Sequence, residues 1–449
     1  MFNRIQYRFM AAYYGFTGWF RTRLTPAGKL VFLTLIFTGA LAWTPNQTLA
    51  YQIAPLSFLI LTFALVSGFF FRARFAVQRR LPKIAAVGQP VSYTCWLENR
   101  TDRPQNGLVF VERFKDSQPT FEEFTDLTYP ARPGLSEIRR IMEQDKMRIR
   151  AFKEIRAVSE DQRLPVLPPG KRVEVKNTLV PLKRGYLRLT GMDVVRPDPL
   201  GIYRSTVTAP CEESLLVIPR MYLTPPIQLG GSRKYNQKGV ALASQIGDSQ
   251  EFVSLRDYRP GDPLRTIHWK SWAKVGRPVV KQYQEEYFSR YALILDTFTP
   301  EPSDLFEETV SVAASFSANI DLGESLLDLM FVGPESYCFT TGRSLGHTDR
   351  ILEILANVEP CADGSFRSLR EMVESRVSLL SGSLCVLLRW DEERQELIRH
   401  LRACNIQVRV IVIVEQGQDA NLDPGPMRDR PDHFHVLEAG RIEEGLQRL

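Results

Sequence analysis

The stretch that decides the fold of the C-terminal third is YALILD, at residues 291–296. It is an apolar run of strand length that ends in a carboxylate, and a helix-length segment, FEETVSVAASFSANI, follows from residue 306. The alternation continues with SLLDLMFVG from 325, ILEILANV from 351, SLCVLLRW from 383, DEERQELIRHLRAC from 391 and IQVRVIVIV from 406. This pattern predicts a mostly parallel, doubly wound α/β domain over residues 289–449. Ligands of such sheets bind at the carboxyl ends of strands, which singles out Asp296 and Asp391.

Short alternating runs separated by turn residues precede this domain. They are VSYTCWLE from 91, LVFVERF from 108, RVEVKNTLV from 172 and LLVIP from 215. Their spacing predicts an all-β module, an immunoglobulin-like sandwich over residues 84–222. A charged, helix-compatible segment at about 130–162 interrupts the strands and predicts an inserted helix, which could be a solvated face or a partner-binding element.

Two uncharged apolar runs open the chain within residues 1–83. They predict a transmembrane hairpin with helices at about 27–46 and 51–71. Basic residues flank the hairpin on both sides, so the positive-inside rule places both ends and the soluble domains in the cytoplasm. An aromatic run before the first span is expected at the membrane interface, or else in a disordered tail; it comprises Tyr13, Tyr14, Phe16, Trp19 and Phe20.

The net charge of +6 does not indicate a nucleic-acid partner. Residues 1–83 contain 10 Lys and Arg and no acid, which leaves 47 basic and 51 acidic residues elsewhere, a net charge of −4. The basic excess is therefore a membrane-topology signal. The six cysteines are scattered without a CxxC pair, which predicts reduced thiols and no zinc site.

A connector at residues 223–288 contains the most distinctive sequence, GDSQEFVSLRDYRPGDPLRTIHWKSWAKVGRPVVKQYQEE at 247–286, called here the signature segment. Pro260 and Gly261 predict a turn, and Asp262 is the expected N-cap of a short helix that runs to about Trp272. Charged side chains around Trp269 and Trp272 are expected to form ion pairs that couple the connector to a neighbouring domain.

The signature segment resembles the domain of unknown function 58 family. The matching residues are Glu251, Phe252, Leu255, Arg256, Tyr258, Pro260, Gly261, Asp262, Arg265, Ile267, Trp269, Lys270 and Ala273. Further agreement lies in Leu24-Thr25-Pro26-Ala27-Gly28, in Arg184-Gly185-Tyr186 with Asp198-Pro199-Leu200-Gly201, and in Leu216-Val217-Ile218-Pro219-Arg220. The resemblance implies a multi-pass protein of the bacterial inner membrane with two N-terminal helices, a β-sandwich and a von Willebrand factor A-like domain. It also implies association with a MoxR-type AAA+ ATPase.

Domains like von Willebrand factor A usually bind a metal through an Asp-x-Ser-x-Ser run. Here Asp296 occupies the first position, but Phe298 and Pro300 replace the two serines. The resemblance therefore implies at most a degenerate Mg²⁺ site of Asp296, Thr299 and Asp391, and the alternative is a structural or capping role for Asp296.

The sequence contains no P-loop, no HExxH and no GxSxG motif, so we expect no enzyme. The expected function is a membrane-anchored cytoplasmic scaffold or adaptor, which binds a protein partner such as a MoxR-type ATPase during assembly or remodelling of client complexes. The main alternative is an envelope-processing enzyme that uses the Asp296 loop or an acid/base cluster of Asp262, Arg265 and His268. A membrane protein with a purely structural role is a third possibility.

Overall fold

The computed structural model describes residues 2–41, 48–115, 121–126, 149, 155–225, 235–236, 252–262, 264, 267–283, 287–300, 302–319, 325–342, 345–362, 364–417 and 422–448. The chain divides into two compact units, Met1–Met221 with Leu352–Val358, and Tyr222–Ile351 with Glu359–Leu449. Most of the predicted insertion at 130–162 lies outside the described residues. Its end is strand and not helix, because Ala157–Ser159 pairs with the sandwich.

Three helices begin the first unit: α1 (Phe2–Arg23), α2 (Pro26–Leu41) and α3 (Thr48–Phe69). Their bounds correct the predicted 27–46 and 51–71, although residues 42–47 lie outside the described part. Within α3, Leu49–Phe69 is long and apolar enough to cross a membrane, whereas α2 is apolar but shorter. The expectation of a disordered N-terminal tail is wrong, because the aromatic run belongs to α1.

The β-module consists of two sheets, ordered β1-β3-β7-β5 and β2-β9-β8-β4-β6. Neighbouring strands are antiparallel except for β2 and β9. One hydrophobic core joins the sheets, with Leu97 and Leu179 from the first and Phe110, Leu189 and Leu215 from the second. The elements are β1 (Phe75–Arg80), β2 (Ile84–Ala86), β3 (Val91–Asn99), β4 (Val109–Phe114), α4 (Phe121–Asp126), β5 (Ala157–Ser159), β6 (Gln162–Arg163), β7 (Arg172–Pro181), β8 (Gly185–Pro197) and β9 (Arg204–Ile218).

Strand β1 moves the start of the sandwich from the predicted residue 84 to Phe75. It also removes Arg79 from the basic flank of the membrane helices, because this side chain is buried. Arg79 pairs with Glu112 at 2.9 Å, the Tyr93 hydroxyl donates to Glu112 at 2.5 Å, and Asn177 donates to the Tyr93 oxygen at 2.9 Å. Burial raises the pKa of Glu112, and the charge of Arg79 opposes that shift.

The N-terminal helices are attached to the sandwich through the turn between β8 and β9. The Asp198 carboxylate accepts the Ile202 N–H at 2.6 Å and so holds this turn. Thr25 donates its N–H to the Ile202 carbonyl at 3.1 Å and its hydroxyl to the Gly201 carbonyl at 2.6 Å. A Cβ at Gly28 would lie 2.2 Å from the Ile202 oxygen, so only glycine permits this approach. Two of the resembling sequence stretches, around Thr25 and Asp198, thus form one contact.

We expect Gly28→Ala to destabilise the first unit because the added methyl group must push the β8–β9 turn away from α2. The cost should be about 1–3 kcal/mol, typical of overpacking. Thermal unfolding of the detergent-purified protein measures it. Gly39→Ala on the same helix is the matched control, since nothing lies within 4 Å of its added Cβ and alanine favours a helix. Equal melting temperatures for the two variants would contradict the close contact.

The second unit is built on a six-stranded sheet, ordered β16-β15-β14-β17-β18-β19. It is parallel except for the antiparallel pair of β15 and β16. Helices α8 and α9 pack onto the face that includes Ala292, Ile294 and Cys385. The elements are β10 (Tyr235–Asn236), β11 (Phe252–Asp257), α5 (Trp269–Val275), β12 (Val279–Tyr283), β13 (Tyr287–Phe288), β14 (Arg290–Leu295), α6 (Asp304–Asn319), β15 (Leu326–Val332), β16 (Ser336–Thr341), α7 (Leu345–Ala356), α8 (Phe366–Glu374), β17 (Gly382–Leu387), α9 (Glu392–Ala403), β18 (Gln407–Val414), β19 (Phe434–Glu438) and α10 (Ile442–Leu446).

Candidate functional site

The order of the strands reverses at the neighbouring pair β14 and β17. In parallel sheets, a crevice forms at the carboxyl ends of the strands where the order reverses. Asp296 directly follows β14 at this point, is fully buried, and donates its N–H to the Val386 carbonyl at 2.9 Å. Asp391 lies on the same edge, between β17 and α9. The structure therefore brings two of the predicted site residues together.

An arginine from the first turn of α9 occupies the space between these carboxylates. The Arg394 Nε and Nη2 donate to the two Asp296 oxygens at 3.1 and 3.3 Å, and Nη1 donates to Asp391 at 2.7 Å. The guanidinium carbon lies 4.3 Å from the centre of the Phe366 ring. Burial alone would lower the pKa of Arg394, but the carboxylates of Asp296 and Asp391 outweigh it and raise that pKa above its ordinary value.

The remaining acceptor positions of Asp296 are filled by backbone donors. The Phe298 N–H donates to Oδ1 at 3.1 Å, and the Leu388 N–H donates to Oδ2 at 3.2 Å. Each carboxylate oxygen therefore accepts one backbone and one guanidinium N–H. Mg²⁺ requires oxygen ligands in octahedral geometry. The four hydrogen bonds that the Asp296 carboxylate accepts leave it no free lone pair for such an ion. The residues do not fit a Mg²⁺ ion in this arrangement.

The other two proposed ligands, Asp391 and Thr299, also form hydrogen bonds within the protein. Asp391 caps α9 by accepting the Arg394 N–H at 3.1 Å. Thr299 is half-buried and donates its N–H to the Thr297 carbonyl at 2.9 Å. Within the described residues, no group of three or more His, Cys, Asp or Glu side chains could hold a metal ion.

Arg394 is the residue that the sequence reasoning missed. A signal was present, because Arg394 follows Asp391 by three residues at the start of a helix. The N-terminus of a helix carries partial positive charge and disfavours a cation. An arginine in that turn therefore indicates a carboxylate partner nearby, which here is Asp296.

We expect Arg394→Ala to destabilise the second unit by about 3–5 kcal/mol, because it leaves the Asp296 charge buried without its partner. Chemical denaturation of the purified protein measures the free energy of unfolding. Arg399→Ala is the matched control on the same helix: its partner Glu392 is exposed, and its loss should cost no more than about 1 kcal/mol. An equal effect of the two substitutions would contradict a structural role for the buried pair.

The signature segment forms a separate small structure in which β11 pairs with β12. Arg256 binds Asp262 with two hydrogen bonds of 2.7 Å each. The Arg259 N–H also donates to Asp262, at 2.9 Å, and Gly261 provides the positive φ of 107° that the turn requires. Tyr258 is half-buried and donates its N–H to the Pro278 carbonyl at 3.0 Å. These bonds fold the segment back on itself.

The Asp262 carboxylate binds Arg256 and the Arg259 N–H, and residues 263, 265 and 266, where its predicted capping bonds would form, lie outside the described residues. The helix α5 begins at Trp269, and His268 precedes it without a side-chain cap. The His268 Nδ1 and the Ser271 Oγ are 2.6 Å apart. In the described part of the chain, no hydrogen bond joins Asp262 to His268. Glu251 and Arg265 lie outside the described residues.

The signature segment carries a pair of tryptophans on α5, of which Trp269 is exposed and Trp272 is half-buried. Trp269 and Trp272 stack with their ring centres 5.2 Å apart and an angle of 18° between the rings. The Trp269 side chain is 64% exposed, and Lys270 and Lys274 next to it are exposed as well. A large exposed aromatic surface surrounded by cations is typical of a protein-binding surface.

Asp262 should titrate with a midpoint near pH 2, since its bonds to Arg256 and the Arg259 N–H lower its pKa to about 2. A carboxylate with a lowered pKa stabilises the fold above its unfolded value of about 3.9, and this contribution is lost as the pH falls towards 2. The carboxyl carbon resonance, assigned with Asp262→Asn, measures the midpoint. Arg256→Gln should raise the titration midpoint of Asp262. Arg277→Gln is the control, because it removes the partner of Asp257 and should leave that midpoint unchanged. An unchanged midpoint in Arg256→Gln would contradict the pairing.

A known protein family matches a stretch of the chain that contains both the Asp296 site and most of the signature segment. Residues 254–429 match the family described as Protein of unknown function DUF58. This range includes most of the signature segment together with Asp296, Asp391 and Arg394. Over 288 residues the chain is 27% identical to the Uncharacterized protein YeaD of Bacillus subtilis (strain 168), which covers 62% of this chain and 69% of the relative.

Parts of the chain also match solved structures, of which two are described. A CARDB domain from Pyrococcus furiosus is 10% identical, with 32% of this chain and 89% of that chain covered and a TM-score of 0.19. A mutant Salmonella alpha-2-macroglobulin is 13% identical, with 36% of this chain and 8% of that chain covered and a TM-score of 0.18. At such TM-scores, neither structure carries an argument about this protein.

Proposed function

We propose that the chain is a membrane-anchored scaffold that binds a protein partner in the assembly or remodelling of client complexes. The exposed Trp269, stacked on the half-buried Trp272, carries this proposal. Aromatic side chains that protrude into solvent are costly for a soluble domain, and they are the side chains that contribute most to binding at protein interfaces. The family match over residues 254–429 includes this stack.

The charge around the tryptophans favours a partner with an acidic surface. Arg259, Lys270 and Lys274 are exposed, whereas Asp262 is already neutralised by Arg256. Complementary charge increases the rate of association and the specificity of a complex. From the family resemblance, we propose that the partner is a MoxR-type AAA+ ATPase.

The topology of the second unit supports a von Willebrand factor A-like fold. Its sheet has three strands on one side of the reversal point and three on the other, with one antiparallel strand at the edge. The Arg394 guanidinium lies beside Asp296, the residue that would bind the metal of such domains. We therefore propose that partner binding requires no divalent cation. For the first unit, two facing antiparallel sheets support an immunoglobulin-like sandwich.

A bacterial inner-membrane location follows from the same proposal. α3 supplies one helix of sufficient length, and α2 is the second, shorter member of the proposed hairpin. Arg21 and Arg23 precede α2, and Arg72 and Arg74 follow α3. With positive charge on both sides, both soluble units face the cytoplasm.

Capture of a purified MoxR-type ATPase by the detergent-solubilised protein tests the proposal. The assay contains no nucleotide, so EDTA can affect capture only by removing Mg²⁺ from the proteins themselves. We expect equal capture in Mg²⁺ and in EDTA. Trp269→Ala should reduce capture at least about thirtyfold, which corresponds to a loss of about 2 kcal/mol or more at an interface hot spot. Leu223→Ala is the control, because Leu223 is also an exposed apolar residue but lies outside the signature segment.

Three outcomes would contradict parts of the proposal. Capture that is lost in EDTA would contradict the metal-independent surface. Equal capture by the Trp269 and Leu223 variants would contradict the tryptophan stack as the binding surface. Absence of capture under all conditions would contradict the ATPase as partner, and hydrolytic turnover abolished by Asp262→Asn in a folded protein would favour the envelope-processing enzyme.

A further inference from the structure

The first helix carries an exposed apolar stripe. Ile5, Phe9, Tyr13, Phe16 and Trp19 are all exposed, and their spacing of three or four residues puts them on one face of α1. Exposed large apolar side chains in such a row are typical of a helix that lies in the membrane interface.

The rest of α1 is held against the first unit at both ends. Near its start, the Tyr7 ring contacts the rings of Phe121 and Phe124, with centre distances of 5.5 and 5.4 Å. At its end, Leu24 forms an isolated antiparallel bridge with Tyr203. The helix is therefore fixed on the sandwich while its stripe remains exposed.

The stripe leads into an apolar cavity of about 250 Å³ within the first unit. The cavity is partly open and is lined by all three N-terminal helices and by the turn that includes Ile202 and Tyr203. Almost all of its wall is hydrocarbon, so water would find few hydrogen-bond partners there. Its lining includes Phe16, Trp19 and Phe20 of α1, Phe32 of α2, and Leu61 and Leu65 of α3.

Basic side chains lie close in sequence to the cavity wall. Arg21 and Arg23 are in the last turn of α1, adjacent to Phe20 and Leu24, and Lys29 is in the first turn of α2. Arg23 donates to the Arg204 carbonyl at 3.5 Å, and within the described residues none of these three cations forms an ion pair. A ligand with an apolar chain and a negative head group complements both features.

We propose that the cavity binds an anionic phospholipid, with one acyl chain among the rings of α1 and its phosphate near Arg21 and Arg23. This inference rests on the proposed membrane anchor. The site is distinct from the tryptophan stack on α5, and it assigns a role to α1 that neither the transmembrane hairpin nor partner binding requires.

Quenching of Trp19 fluorescence by phospholipids with brominated acyl chains tests the site in the full-length, detergent-purified protein. The chain has six tryptophans, so the signal of Trp19 is taken as the difference between the natural protein and Trp19→Phe. We expect brominated phosphatidylglycerol to quench Trp19 at lower concentration than brominated phosphatidylcholine. Arg21→Gln and Arg23→Gln should each weaken phosphatidylglycerol binding about fivefold and leave phosphatidylcholine unaffected.

A pair of matched substitutions tests the cavity itself. Thr62 is exposed and lines the cavity, whereas Thr34 is half-buried and does not line it; in both residues the hydroxyl donates to the carbonyl four residues earlier. Thr62→Phe should reduce the quenching at least twofold for both lipids, and Thr34→Phe should not. Equal quenching in the two variants, or equal affinity for the two lipids in the natural protein, would overturn the proposal.

Flotation with lipid vesicles separates this proposal from the membrane anchor on which it rests. Natural protein that fails to float with vesicles of either lipid would overturn the anchor and the lipid site together. Protein that floats but shows no lipid preference and no effect of Thr62→Phe would overturn the site alone. Capture of the ATPase should be the same for Thr62→Phe and Thr34→Phe, and this result also shows that both variants are folded.

Discussion

Paired buried charges fix the central strand of the second unit at both ends. At its carboxyl end, Asp296 binds Arg394 of α9. At its amino end, Arg290 binds Asp328 of β15 with bonds of 2.7 and 3.0 Å. A buried charge is costly without its partner, so each pair permits one arrangement of the elements it joins. The first pair sets where α9 lies against the sheet, and the second sets the register between β14 and β15.

The sandwich of the first unit is fixed by the same kind of contact. Arg79 belongs to one sheet and Glu112 to the other, so their pair crosses the hydrophobic core. Tyr93 and Asn177 extend the pair with further hydrogen bonds. Because sliding one sheet past the other would leave these charges buried without their partners, the network favours one alignment of the two sheets. Both units therefore combine a large apolar core with a few specific charged contacts.

The local pattern of the sequence predicted most of the regular elements, but not the contacts between distant residues. Apolar alternation located β3, β7, β14, β17 and β18, because each is buried on at least one face. It did not place β1 in the sandwich, since the charged Arg79 and Arg80 resemble a membrane flank. The order of strands and the antiparallel β16 depend on tertiary pairing, which one sequence does not display.

The candidate sites show the same contrast between what the local pattern predicts and what contacts between distant residues decide. Asp296 and Asp391 were found because strand ends can be located from sequence. Arg394 was missed because its partner lies 98 residues away. In the signature segment, Asp262 was assigned to a cap by the residue that follows it, Pro263, whereas its bonds to Arg256 and Arg259 depend on how the turn folds back.

In the proposed membrane anchor, the connection between α3 and β1 limits how far the sandwich can extend from the bilayer. Only residues 70–74 separate the end of the helix from the first strand, and five residues span at most about 18 Å. The contact between Thr25 and Ile202 attaches the same unit a second time. With the proposed anchor, the sandwich has two short tethers and no stalk. A cytoplasmic partner of this unit must then bind close to the bilayer surface, and the lipid head groups exclude its approach from the membrane side.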